Sequence, residues 1–128
     1  MVYLDANIIL RFILNDNKEL SQQARDLILH NDCTTTYEVI AEVVYVLYGV
    51  YKIERADIEK ALLSFLPNVA IENDTTLKSA LHYYAETKLD FVDCLLAAYH
   101  LVEKKEILTF DKKLNNFMKR TEKEMQEA

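Results

Sequence analysis

Glycine and proline are nearly missing: the 128 residues hold one of each, Gly49 and Pro67, and no tryptophan. A G-x-x-x-x-G-K-[ST] phosphate loop or a G-x-G-x-x-G turn needs at least two glycines, so nucleotide binding of those kinds cannot be built. The Asn-Gly and Asp-Gly pairs that favour tight hairpins are absent as well, which argues against an all-β fold. Only two cysteines occur, Cys33 and Cys94. They form no C-x-x-C pair and are expected as buried reduced thiols, the usual state in the cytoplasm. No uncharged apolar run reaches the roughly 18 residues of a membrane span. The start, MVYLDANIIL, lacks a basic flank and a small-residue cleavage site and is interrupted by Asp5, so it is expected to be the first structural element. A basic excess is also lacking. The net charge of −6 argues against a protein that grips nucleic acid with its whole surface. It leaves room for an enzyme whose carboxylates are neutralised by bound cations.

What is present is ample apolar material, 51% of the chain, enough for one domain over residues 1–128. Short apolar runs at 2–5, 33–36, 69–71 and 107–110 read as buried strands. Between them lie segments with apolar residues at helical spacing: the stretch after Asp5, then 18–30, 37–51, 55–66, 74–87 and 91–104. A short helix is expected after Asp111, and residues 119–128 are expected to fray. Strands alternating with helices imply an α/β fold with a parallel sheet of about four to five strands covered by helices.

The carboxylates fall at informative places. Asp5 ends the first run, Asp111 follows the fourth, and Asp90 and Asp93 open the helix at 91–104. In an open parallel sheet, ligands bind beyond the carboxyl ends of the strands. Aspartate is also a favoured helix N-cap, so Asp5, Asp90 and Asp111 have a structural use that is compatible with chemistry. Glu42 lies mid-helix, with Val39, Tyr45 and Val46 among its neighbours, and Glu38 stands one turn earlier. Carboxylates sharing a site repel one another unless cations sit between them, and such hard oxygen donors suit Mg²⁺ or Mn²⁺ rather than Zn²⁺. These ions activate water and offset charge in phosphodiester cleavage. His30, His82 and His100 are scattered, and no Ser/His/Asp arrangement stands out.

Four places in order resemble the PIN-domain family. They are Asp5 with Asn7 after the first strand, Glu42 in the helix at 37–51, Asp93 in DFVDCLLAAYHL, and Asp111 in ILTFDKKL with Thr109 two residues earlier. The chain departs from the family pattern at Cys94, where Ala is commoner, and at Lys112 and Lys113, where many relatives carry Asn or Arg. The resemblance, strongest to VapC-like toxins, implies a three-layer fold and a divalent-metal-dependent endoribonuclease. Asp5, Glu42, Asp93 and Asp111 would be its Mg²⁺ or Mn²⁺ ligands and catalytic residues, with Asn7 and Thr109 orienting them. It further implies an RNA substrate, a cognate antitoxin protein and a homodimer. Lys112, Lys113, Lys119, Arg120 and Arg11 could guide the RNA backbone.

Three other readings compete. A degenerate PIN domain would bind RNA or protein without cleaving, but all four acidic positions are filled. A phosphorylated receiver domain needs paired acids after its first strand and a matching lysine, which are not found. A haloacid-dehalogenase-like phosphatase needs D-x-D where Asn7 replaces the second aspartate.

Overall fold

The first apolar run pairs over only two residues in the computed structural model, which describes residues 1–128. Strand β1 (Val2–Tyr3) lies parallel to β2 (Cys33–Thr34), with Val2 opposite Cys33 and Tyr3 opposite Thr34. The crossover that a parallel pair requires is made by α1 (Ala6–Leu14) and α2 (Lys18–Leu29). The third run adds a single bridge between Thr34 and Ala70, whose N–H donates to the Cys33 carbonyl at 2.9 Å.

The expected sheet of four to five strands is therefore corrected to a two-stranded parallel sheet with one bridge, flanked by helices. Side chains take the backbone partners that longer ladders would use. The Thr35 hydroxyl donates to the Leu4 carbonyl at 3.0 Å, and the Thr34 hydroxyl donates to the Ala70 carbonyl. Asp5 and Thr36 then turn both chains into helices by accepting the N–H groups of Ile8 and Val39. The fourth run, 107–110, pairs with no strand, and its Leu108 and Phe110 are exposed.

Packing groups the chain into two units, residues 1–72 and 73–128. In the first, α1 packs against α2, against α3 (Tyr37–Gly49) and against α4 (Arg55–Phe65). Ile9, Ile40, Val43, Leu47, Ile58 and Leu62 are sealed from solvent. The Phe12 and Phe65 rings meet edge to face at 5.5 Å. Helix α4 passes into a 3-10 turn at Leu66–Asn68 that carries Pro67, the one proline.

In the second unit, α6 (Phe91–Glu103) packs against α5 (Asp74–Glu86) and α7 (Lys112–Glu127). The small Ala97 and Ala98 are fully buried on α6, and Tyr84–Phe91 and Tyr83–Phe117 form edge-to-face ring pairs. Leu114, Phe117 and Met118 give α7 a buried face, and the helix continues through the segment expected to fray, as far as Glu127. Cys33 and Cys94 are buried and form no disulfide. No helix is long and apolar enough to cross a membrane.

Truncating Phe65 tests this packing. Phe65→Ala should cost about 3–5 kcal/mol of folding stability, the usual penalty for a buried aromatic, read from urea unfolding. A cost below about 1 kcal/mol would mean that the Phe12–Phe65 contact does not organise the first unit.

Candidate active site

Asp5 follows β1 and Leu4 directly and is the N-cap of α1, its Oδ1 accepting the Ile8 N–H at 3.1 Å. Its side chain is exposed, as is that of Asn7 in the first turn of the same helix. Glu42 lies in the middle of α3 and is exposed, so its apolar neighbours impose no burial cost on it. Glu38, in the first turn of α3, is exposed too. Arg11 is bound to Asp16 at 3.1 Å, which occupies the guanidinium.

The second unit holds the other acids. Asp90 caps α6 by accepting the Asp93 N–H at 3.0 Å, and Asp111 caps α7 by accepting the Leu114 N–H at 2.9 Å. Thr109 braces this second cap from behind. Its hydroxyl accepts the Asp111 N–H at 3.0 Å, and its carbonyl accepts from the Asn115 side-chain amide at 2.9 Å. Asp93 is half-buried in the first turn of α6. Loss of water around it pushes its carboxyl pKa above the ordinary aspartate value, and the charges of Asp90 and Asp111 push the same way. The positive end of α6 opposes this rise, since it favours a carboxylate. Burial and repulsion win.

Asp93 thus lies close enough to Asp90 and to Asp111 to feel both charges, while no three His, Cys, Asp or Glu side chains are gathered so as to hold a metal ion. The donor chemistry fits Mg²⁺ or Mn²⁺: the groups are carboxylate oxygens, and their mutual repulsion is what a divalent cation would relieve. The part of Asp90 in this repulsion was the least legible in sequence. Its only signal was the D-x-x-D spacing, which puts two carboxylates on one side of a helix start. His30 lies against the Asp26 carbonyl and His100 against the Lys105 carbonyl.

The raised Asp93 carboxyl carries a pH signature. Its folded pKa exceeds its unfolded one, so between the two values the folded state binds more protons and stability falls as pH rises. The penalty is fully present above the folded value. Without divalent metal, Asp93→Asn should therefore melt at a higher temperature than wild type at pH 7. The gain should shrink as pH falls toward the ordinary aspartate value of about 3.9. A pH-independent difference would show that repulsion is not what the substitution relieves.

The profile of the PIN domain family matches residues 2–120, a span that contains Asp5, Glu42, Asp93 and Asp111. No curated protein and no solved structure matches the chain. Coverage of nearly the whole chain by that profile, on a helix-flanked parallel sheet, shows that the chain belongs to the PIN-domain family, whose members are generally nucleases.

Proposed function

We propose that this protein is a divalent-metal-dependent endoribonuclease, the toxin of a toxin–antitoxin pair. The observation that carries this reading is that all four acidic positions, Asp5, Glu42, Asp93 and Asp111, are filled within the matched span. A degenerate, purely binding PIN domain would have no need of a half-buried Asp93 set against two like charges.

Asp5, Glu42, Asp93 and Asp111 would hold the cation, Mg²⁺ or Mn²⁺. When bound, the cation supplies activation of water and neutralisation of the charge that builds up as the phosphodiester breaks. The chain's own part is placement. Asp5 and Asp111 are each held by a capping hydrogen bond to a backbone N–H, so little side-chain freedom remains to be lost on binding. Thr109 fixes the backbone on which Asp111 stands, and Asn7 sits one residue inside the helix that Asp5 caps. A cognate antitoxin and a homodimer complete the proposal, with action in the cytoplasm, where RNA and reduced Cys33 and Cys94 thiols coexist.

Cleavage of a mixed pool of synthetic RNA in Mn²⁺ tests it. Wild type should cut internally, EDTA should stop it, and Asp5→Asn and Asp93→Asn should each slow it about a hundredfold, near 2.7 kcal/mol of barrier, with the fold retained by circular dichroism. Full activity in both variants would overturn the residue assignment. RNA binding without cleavage at millimolar Mn²⁺ would establish the non-catalytic binding module instead.

A further inference from the structure

Asparagine is a poor choice inside a helix, because its short amide competes with the backbone for hydrogen bonds. Asn115 stands in α7, four residues past the Asp111 cap. Its backbone N–H donates to the Asp111 carbonyl at 3.1 Å, as helix geometry requires. Its side-chain amide turns back and donates to the Thr109 carbonyl at 2.9 Å, two residues before the cap. The Thr109 hydroxyl in turn accepts the Asp111 N–H at 3.0 Å, and Asp111 Oδ1 accepts the Leu114 N–H at 2.9 Å. These bonds close a clasp over residues 109–115. Asp111 is held in it at its N–H, its carbonyl and one carboxylate oxygen.

The bonds from Leu114 and from the Asn115 backbone come with any capped helix. The two through Thr109 do not, and they answer a need of this place. Ahead of Asp5, Leu4 is fixed by its neighbours: its N–H donates to the Thr34 carbonyl at 2.9 Å, and its carbonyl accepts from the Thr35 hydroxyl at 3.0 Å. Ahead of Asp111, residues 107–110 pair with no strand, so no ladder sets the direction from which the chain enters α7. The Thr109–Asp111 bond lies within the entering segment and cannot set that direction either. Asn115 can, because it belongs to the helix and grips the segment. The same position of α6, four residues past Asp90, holds Cys94, whose thiol donates to the Leu89 carbonyl at 3.8 Å. A thiol is a weak donor, and Asn115 is the stronger form of the same device.

We propose that Asn115 is a positioning residue for Asp111: by gripping the Thr109 carbonyl it holds the Asp111 carboxylate in one orientation, with the oxygen that the cap leaves over offered to a divalent cation. The proposal rests on Asp111 being a cation ligand, as read above. Without the amide, the entering segment swings about the Asp111 N–Cα bond, the capping bond opens part of the time, and the carboxylate spreads over several rotamers. A cation must then order that side chain on binding, and its affinity falls.

The test uses Asn115→Ala, which exchanges the amide for a better helix former, so that α7 is retained. Three-bond couplings in the isotopically labelled, metal-free protein report the Asp111 χ1 angle. Wild type should show one rotamer and Asn115→Ala a mixture, while Asn116→Ala, one residue on, should match wild type. Mn²⁺ affinity, read by electron paramagnetic resonance, should fall about tenfold in Asn115→Ala, the lower end of what loss of a supporting bond costs a metal site. In an Asp111→Asn background the same substitution should change Mn²⁺ affinity little, since a residue that acts through Asp111 has nothing left to act on. A single Asp111 rotamer in Asn115→Ala would overturn the proposal, as would equal affinity losses in both backgrounds, the mark of general loosening. Mn²⁺ binding that Asn115→Ala leaves unchanged would overturn it while the metal reading stands. Mixed Asp111 rotamers in Asn115→Ala, in a protein whose wild type takes up no Mn²⁺, would uphold the positioning of Asp111 while the metal reading fails.

Discussion

An aspartate at a helix N-cap is tied down by one oxygen and leaves the other to face outward. That constraint organises this protein. Asp5, Asp90 and Asp111 each accept the backbone N–H three residues on, and each stands where the chain changes from extended to helical. The cap is worth about 1 kcal/mol to the helix, and the same bond removes the side-chain freedom that a metal ligand would otherwise have to lose. Capping and chemistry are thus not alternatives at these positions. The helix start supplies a positive end that tolerates the charge, until burial and a second or third carboxylate exceed what it can offset, as at Asp93.

The same caps explain which parts of the fold were legible in the sequence. The helices were, because their apolar residues recur at helical spacing and their starts carry Asp5, Asp90 and Asp111 as caps: 74–87 was expected and Asp74–Glu86 is found, 91–104 was expected and Phe91–Glu103 is found. The strands were legible in place but not in extent. VYLD contains the very residue that ends it, since an Asp5 that caps α1 cannot also continue a ladder. Pairing is non-local, so an apolar run says nothing of whether an edge is there to receive it, and ILTF finds none. Helix α7 was underestimated for the opposite reason. Its charges suggested a solvated tail, while Leu114, Phe117 and Met118 already marked a buried face.

The places of the candidate acids were legible to a similar degree. Position relative to helix starts singled out Asp5, Asp93 and Asp111, and the structure gives two of them capping bonds and the third a crowded, half-buried carboxyl. Glu42 stood out for an apolar setting that the structure does not give it, because its edge of α3 faces water. Phe110 could not have been singled out. Within ILTF it looks like any buried strand residue, yet it is exposed.

Net charge is a poor guide to a nucleic-acid partner in a chain like this one. At about 0.1 M salt, exposed charges more than about 10 Å apart are largely screened from each other. A polyanion approaching α7 therefore responds mainly to the lysines within that distance, and only weakly to acids farther away. The acids at the start of α7 serve the opposite purpose. Asp111 sits at the head of the cationic helix, and Asp93 feels its charge. Carboxylates this close repel one another and any further anion until a cation neutralises them.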